Sequence, residues 1–136
     1  MSKNPVVHFE MPYKDAARVS AFYKEAFGWN MMDGGEQMGH YVMAQTAETD
    51  ENRMVKTPGT INGGFYALDM SPESTQPSVV IAVDDIRKAV EDIKAAGGEL
   101  LGEQQEIPGI GLWVSFKDSE GNRVSVLQPN PREAQA

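Results

Sequence analysis

His8 and Glu10 stand two apart in Val6 to Met11, a run of β-branched and aromatic residues closed by Pro12. Side chains alternate on a strand, so this imidazole and this carboxylate fall on one face while Val7, Phe9 and Met11 take the other. A histidine titrates near neutral pH and a neighbouring carboxylate raises its pKa, so the pair could transfer protons on a bound carbonyl compound. The same two groups also read as the polar floor of a pocket, or as the start of a divalent-metal site. Convergence on one ion is demanding, because residues i and i+2 of a strand are roughly 6.5 to 7 Å apart at the backbone. With no cysteine in the chain, thiolate nucleophiles, disulfides and cysteine-based zinc sites are excluded. His40, the only other histidine, sits beside Gly39 and reads as an exposed turn residue. Met31, Met32, Met38, Met43 and Met54 read as core or rim packing. Gly63-Gly64 reads as a bulge or close strand approach, since no helix start follows it to make a phosphate cradle.

The elements that must position these groups follow a repeated plan. After the first strand, Asp15 is placed to cap a helix with Ala16, Val19, Phe22, Tyr23 and Ala26 at helical spacing, and Gly28 to stop it. Strands are expected at Trp29 to Met32, Tyr41 to Thr46 and Thr60 to Leu68, with the charged stretch Ala47 to Gly59 as a loop. Beyond a linker at Ser71 to Pro77, the strand Ser78 to Val83 leads to a second cap at Asp85. A helix with Ile86, Ala89, Val90, Ile93 and Ala96 on one side follows, with Gly97-Gly98 as its stop. Strands at Leu100 to Glu103, Leu112 to Asp118 and Arg123 to Gln128 close the plan, the last two joined by a turn at Asp118 to Asn122. The caps Asp15 and Asp85 share one offset with the stops Gly28 and Gly98, so the chain reads as βαβββ written twice.

At 136 residues, with 40% hydrophobic content, the chain has material for one packed core. Its net charge of −8 repels phosphate backbones and anionic lipid, so nucleic acid and membrane are not expected partners. No run approaches a membrane span and no secretory h-region opens the sequence, so a cytoplasmic location is the expectation.

Three phrases, VVHFEMPYKDAARVSAFYKEAFGW, VVIAVDDIRKAVEDIKAAGGEL and IPGIGLWVSFKDSEGNRVSVLQP, resemble the vicinal oxygen chelate superfamily. This is the glyoxalase, bleomycin-resistance and extradiol-dioxygenase group, and the likeness is to its compact glyoxalase-like branch of bacterial proteins. The resemblance spans roughly Val6 to Pro129. Ser119 departs from it, standing where the family's last turn usually has proline. It implies an α+β fold of a single domain, with module one at about 5–70, module two at about 77–129 and a frayed tail at 130–136. The two tandem βαβββ modules would form a curved mixed eight-stranded sheet around a cleft, with the helices outside. In that fold Val79, Ile81, Val83, Val114 and Phe116 pack inward. The cleft then receives His8, Glu10 and Tyr41 from module one, and Ser78, Trp113, Ser115, Arg123 and Ser125 from module two.

Metal-dependent members of the superfamily take ligands from the first and last strands of each module. Here His8 matches the first position, Ser78 and Ser125 stand at two others, and Gly59 to Leu68 offers neither carboxylate nor histidine. No cofactor is therefore expected beyond a weakly bound divalent metal, with His8 as its only strong ligand. The leading expectation is a glyoxalase-like protein that binds a small molecule of unassigned specificity, as a single chain or a homodimer. Two others stand beside it. One is a lyase or isomerase using His8 and Glu10 as a proton-transfer pair, and the other is a sequestration-type drug-resistance protein whose acidic charge and aromatic wall suit a cationic, planar guest.

Overall fold

The computed structural model describes residues 3–68 and 75–131. The expected linker therefore lies outside the described residues except for its last three positions, and the expected tail except for its first two. The chain forms two compact units, His8–Pro77 and, together with the residues up to Val7, the segment from Ser78 onward.

In the first unit β1 (Val6–Tyr13) leads to α1 (Ala16–Phe27), then to β2 (Asn30–Asp33), a single 3-10 turn at Glu36–Met38, β3 (Val42–Gln45) and β4 (Asn62–Ala67). β4 pairs parallel with β1 and antiparallel with β3, which pairs antiparallel with β2. Asp15 caps α1 as expected, its carboxylate accepting the Arg18 N–H. Gly28 ends the helix at φ 72°, a left-handed conformation that costs glycine no Cβ clash. Val42, Ala44 and Phe65 form the buried core, with Phe9, Met11, Val19, Tyr23 and Trp29 packed on it. Phe22 departs from the expected helix stripe. It is 57% exposed and touches Tyr23 and Phe27 edge-on instead of entering the core.

The second unit repeats that topology. β5 (Ser78–Ala82) leads to α2 (Ile86–Ala95), β6 (Glu99–Leu100), β7 (Gln105–Ile107), β8 (Gly111–Lys117) and β9 (Arg123–Pro129). β9 pairs parallel with β5 and antiparallel with β8, just as β4 pairs with β1 and β3. Asp85 caps α2 by accepting the Arg87 and Lys88 N–H groups. Val83, Ile86, Val114, Phe116 and Val126 make the core, with Ile81 and Val90 against it. Val79 does not join them; it is 37% exposed at the start of its strand, as Val7 is at the start of β1. The segment ahead of His8 belongs to this unit, the Pro5 carbonyl accepting the Ala82 N–H at 2.9 Å.

Nine strands appear among the described residues where eight were expected. The expected strand at Leu100 to Glu103 is two short pieces, β6 and β7, which pair with opposite ends of the same edge of β8. Between them the Leu101 N–H still donates to the Ser115 carbonyl at 2.9 Å, so the edge stays in register across the break. Only Glu99, Leu100 and Gln105 to Ile107 pair as strand, and the β7 hydrogen-bonding edge has no apolar alternation to announce it.

Candidate functional site

In the first unit the register decides which side chains meet. Phe9 pairs with Gly63 and Glu10 with Gly64 across β1 and β4, while Ala44 pairs with Gly63 and Met43 with Gly64 across β3 and β4. Phe9, Gly63 and Ala44 therefore take the core side; His8, Glu10, Gly64 and Met43 take the face away from α1. A Cβ at Gly63 would lie 2.3 Å from the Phe9 ring, and one at Gly64 would lie 2.0 Å from the Tyr41 hydroxyl and 2.1 Å from its ring. The glycine pair thus lets one aromatic ring close on each face of β4, so side chains, where a bulge or a close strand approach was expected, are what the missing Cβ atoms admit.

Tyr41, resting on Gly64, brings its hydroxyl to 3.0 Å from His8 Nε2. Burial holds His8 down to about 4, well below its ordinary value, so the imidazole is neutral at physiological pH. This reverses the expectation that Glu10 raises it, because desolvation of the ring is the ruling influence. Glu10 is buried beside it at 8% exposure. His40 is exposed, as expected, with a left-handed φ of 57° and its Nδ1 3.5 Å from Asp33. The methionines divide by register: Met31 packs on the core, while Met43 and Met32 face the His8 side.

In the second unit Trp113, Ser115, Arg123, Ser125 and Ser78 come together. Ser115 pairs with Ser125 across β8 and β9, and their hydroxyls hydrogen-bond at 3.0 Å, both buried. That step of the ladder lies between the Lys117–Arg123 step and the Trp113–Leu127 step. The Arg123 guanidinium leans across it to stand 5.7 Å from the centroid of the Trp113 ring, while its NH1 donates to Ser78 Oγ at 3.4 Å. Small side chains at 115 and 125 leave room for that crossing. The same parity places Lys117 opposite Arg123 on this face, a residue the sequence reading passed over although Phe116 entering the core implies it. Removing one hydroxyl of the serine pair strands the other in a buried site. Ser115→Ala or Ser125→Ala alone should cost about 1 to 2 kcal/mol in urea unfolding and the double variant no more than either, so equal and additive losses would contradict the pairing.

A catalytic divalent metal takes about three ligands of histidine, carboxylate or thiolate type. The first unit presents His8 and Glu10 and, on β4, glycines; the second presents serine hydroxyls already bonded to Arg123 and to one another. Among the described residues no three histidine, aspartate or glutamate side chains are grouped so as to hold an ion. The donor set does not fit such a metal. No helix among the described residues is long and apolar enough to cross a membrane.

The two units share one topology, and each presents polar groups on the face away from its helix. The family model described as Glyoxalase/Bleomycin resistance protein/Dioxygenase superfamily matches residues 6–126, and the chain belongs to that superfamily. It is 27% identical over 130 residues to a probable lactoylglutathione lyase of Vibrio parahaemolyticus, covering 94% of this chain and 93% of that one. A protein of the same description from Vibrio cholerae is 26% identical over the same shares. Among solved structures, a variant of Streptomyces coelicolor methylmalonyl-CoA epimerase in complex with 2-nitronate-propionyl-CoA matches with a TM-score of 0.68. It covers 98% of this chain and 100% of that one at 14% identity, a likeness of fold alone.

Proposed function

We propose that this chain is a glyoxalase-like protein that binds a small organic molecule carrying a carbonyl group, without a complete catalytic metal site. The observation that carries the reading is the His8–Tyr41 couple, 3.0 Å apart on the face away from α1 and beside buried Glu10. A neutral imidazole bonded to a phenol offers hydrogen bonds to a carbonyl oxygen and no charge. The names of the relatives point the same way, since lactoylglutathione and the CoA compounds are acyl thioesters. The reading as a trap for cationic, planar guests has less support, because the Trp113 face that would receive such a guest meets the Arg123 guanidinium. A lyase or isomerase relying on His8 would have to work with a weak base, since burial holds that imidazole far below neutrality.

The test is calorimetric titration of the tag-free protein with S-lactoylglutathione and with methylmalonyl-CoA, with and without a chelator. Binding of at least one, unaffected by the chelator and weakened about tenfold by Tyr41→Phe, is the expected result. Binding or turnover that needs added nickel, zinc or manganese would overturn it. Metal-independent turnover lost in both His8→Ala and Glu10→Gln would replace it with the lyase or isomerase reading.

A further inference from the structure

We infer that the outer face of α1 is a self-association surface, on which a second copy of this chain packs its own α1 antiparallel. None of the 12 residues of α1 is buried, although Ala16, Val19 and Tyr23 rest on the first unit's core. At 3.6 residues per turn Arg18, Ala21, Phe22 and Glu25 fall on the side away from those three, and all four are exposed. Phe22 is 57% exposed there, in edge contact with Phe27 at 64%. The equivalent helix of the second unit has a different outer face. On α2 it carries Arg87, Lys88, Glu91, Asp92 and Lys94, all exposed, with Lys88 and Asp92 joined at 2.7 Å. A charged, internally paired face is at home in water, whereas an aromatic one between two widely spaced charges is suited to being covered.

Charge order names the cover. Arg18 and Glu25 lie two turns apart, about 10.5 Å along one line of the helix, with Ala21 and Phe22 between them. Neither side chain enters an ion pair among the described residues, where the pairs are His40 with Asp33 and Lys88 with Asp92. A second α1 laid antiparallel, centred between Ala21 and Phe22, brings Arg18 of each copy level with Glu25 of the other, and Ala21 level with Phe22. A parallel copy would set like charge against like. The helix dipole gives the same answer. Arg18 stands in the first turn and Glu25 in the last, each beside the pole of its own sign, and of the charged residues in these two turns Lys24 alone suits its end. Beside an antiparallel neighbour, Arg18 and Glu25 each reach a pole of opposite sign. A helix of this length is about 18 Å long, so the contact covers on the order of 400 Å² per copy, below the roughly 800 Å² of a standard interface. The dimer is therefore weak, with a Kd on the order of 0.1 mM.

Sedimentation equilibrium of the tag-free chain at low salt, from about 10 μM to about 1 mM, should show a reversible equilibrium between monomer and dimer. Phe22→Ser, whose folding is checked by its urea midpoint, should weaken association about tenfold or more. Arg18→Glu and Glu25→Arg each set like charges together twice across the twofold axis. Each should weaken association about tenfold, and the double variant, with the charges exchanged, should restore it. The chain has no cysteine, so a single introduced thiol reports proximity. Ala21→Cys lies beside the twofold axis and should form a disulfide-linked dimer on oxidation, whereas Ala17→Cys, about 13 Å from its counterpart, should not. A monomer at every concentration would overturn the inference, as would a dimer indifferent to Phe22→Ser. A double variant that associates no better than either single one would overturn the antiparallel pairing, and so would equal crosslinking from positions 17 and 21.

Discussion

Gly63→Ala lowers the stability measured by urea unfolding by about 3 kcal/mol, whereas Gly64→Ala costs about 1 to 2 kcal/mol and instead abolishes the His8–Tyr41 contact. The two glycines are neighbours, but their Cβ positions point to opposite faces of β4. A methyl at 63 would lie 2.3 Å from a Phe9 ring that is itself wedged against Trp29 and Phe65, with centroids 5.7 and 6.3 Å away. Phe9 cannot move without opening that cluster, so the strain is borne by the core. A methyl at 64 meets the outer end of Tyr41, a half-buried side chain that can swing aside, and the damage falls on the hydroxyl's position near His8. Urea midpoints for both variants, read beside thioester affinity, separate the cases. A Gly64→Ala protein that binds as the parent does would show that Tyr41 takes no part in the site.

Acid is the second lever. The folded pKa of His8 is held down to about 4 by burial, against an unfolded value of 6.5. Between these values the unfolded chain binds a proton there that the folded chain refuses, so stability is full above pH 6.5 and falls as the pH drops toward 4. The loss attributable to this residue is on the order of 2 to 3 kcal/mol. His8→Gln, which keeps a polar partner for Tyr41 and cannot titrate, should flatten the slope of stability against pH across that window. A slope identical in parent and variant would mean that the ring is protonated as readily folded as unfolded.

Much of the fold could be read from local residue patterns. Asp15 and Asp85 accept helix N–H groups where a cap was expected, and Gly28 takes the left-handed turn that stops α1. The alternation of β1 and β9 placed His8, Glu10, Arg123 and Ser125 on the faces away from the helices, which the register bears out. These are properties of neighbours in the chain, governed by periods of 2 and 3.6 residues. The split of one strand into β6 and β7 was not legible, because it depends on which positions along one edge of β8 receive each piece. Nor was the exposure of Phe22, which obeys the helical spacing yet falls beyond the core.

The amino-acid order alone determined the types of side chain in the site and the face each takes, because alternation along a strand is intrinsic to its backbone. It equally determined that Ser78 and Ser125 offer hydroxyls and that Gly59 to Leu68 holds neither carboxylate nor histidine. Only tertiary structure decided what those groups became. Tyr41 reaches His8 because a strand distant in sequence offers a glycine beneath it, and the imidazole is neutral because packing removes water from it. Arg123 lies along Trp113 because two serines ten residues apart are brought into one ladder step. Solvation and cross-strand distance are set by residues far apart in the chain, and no local pattern encodes them.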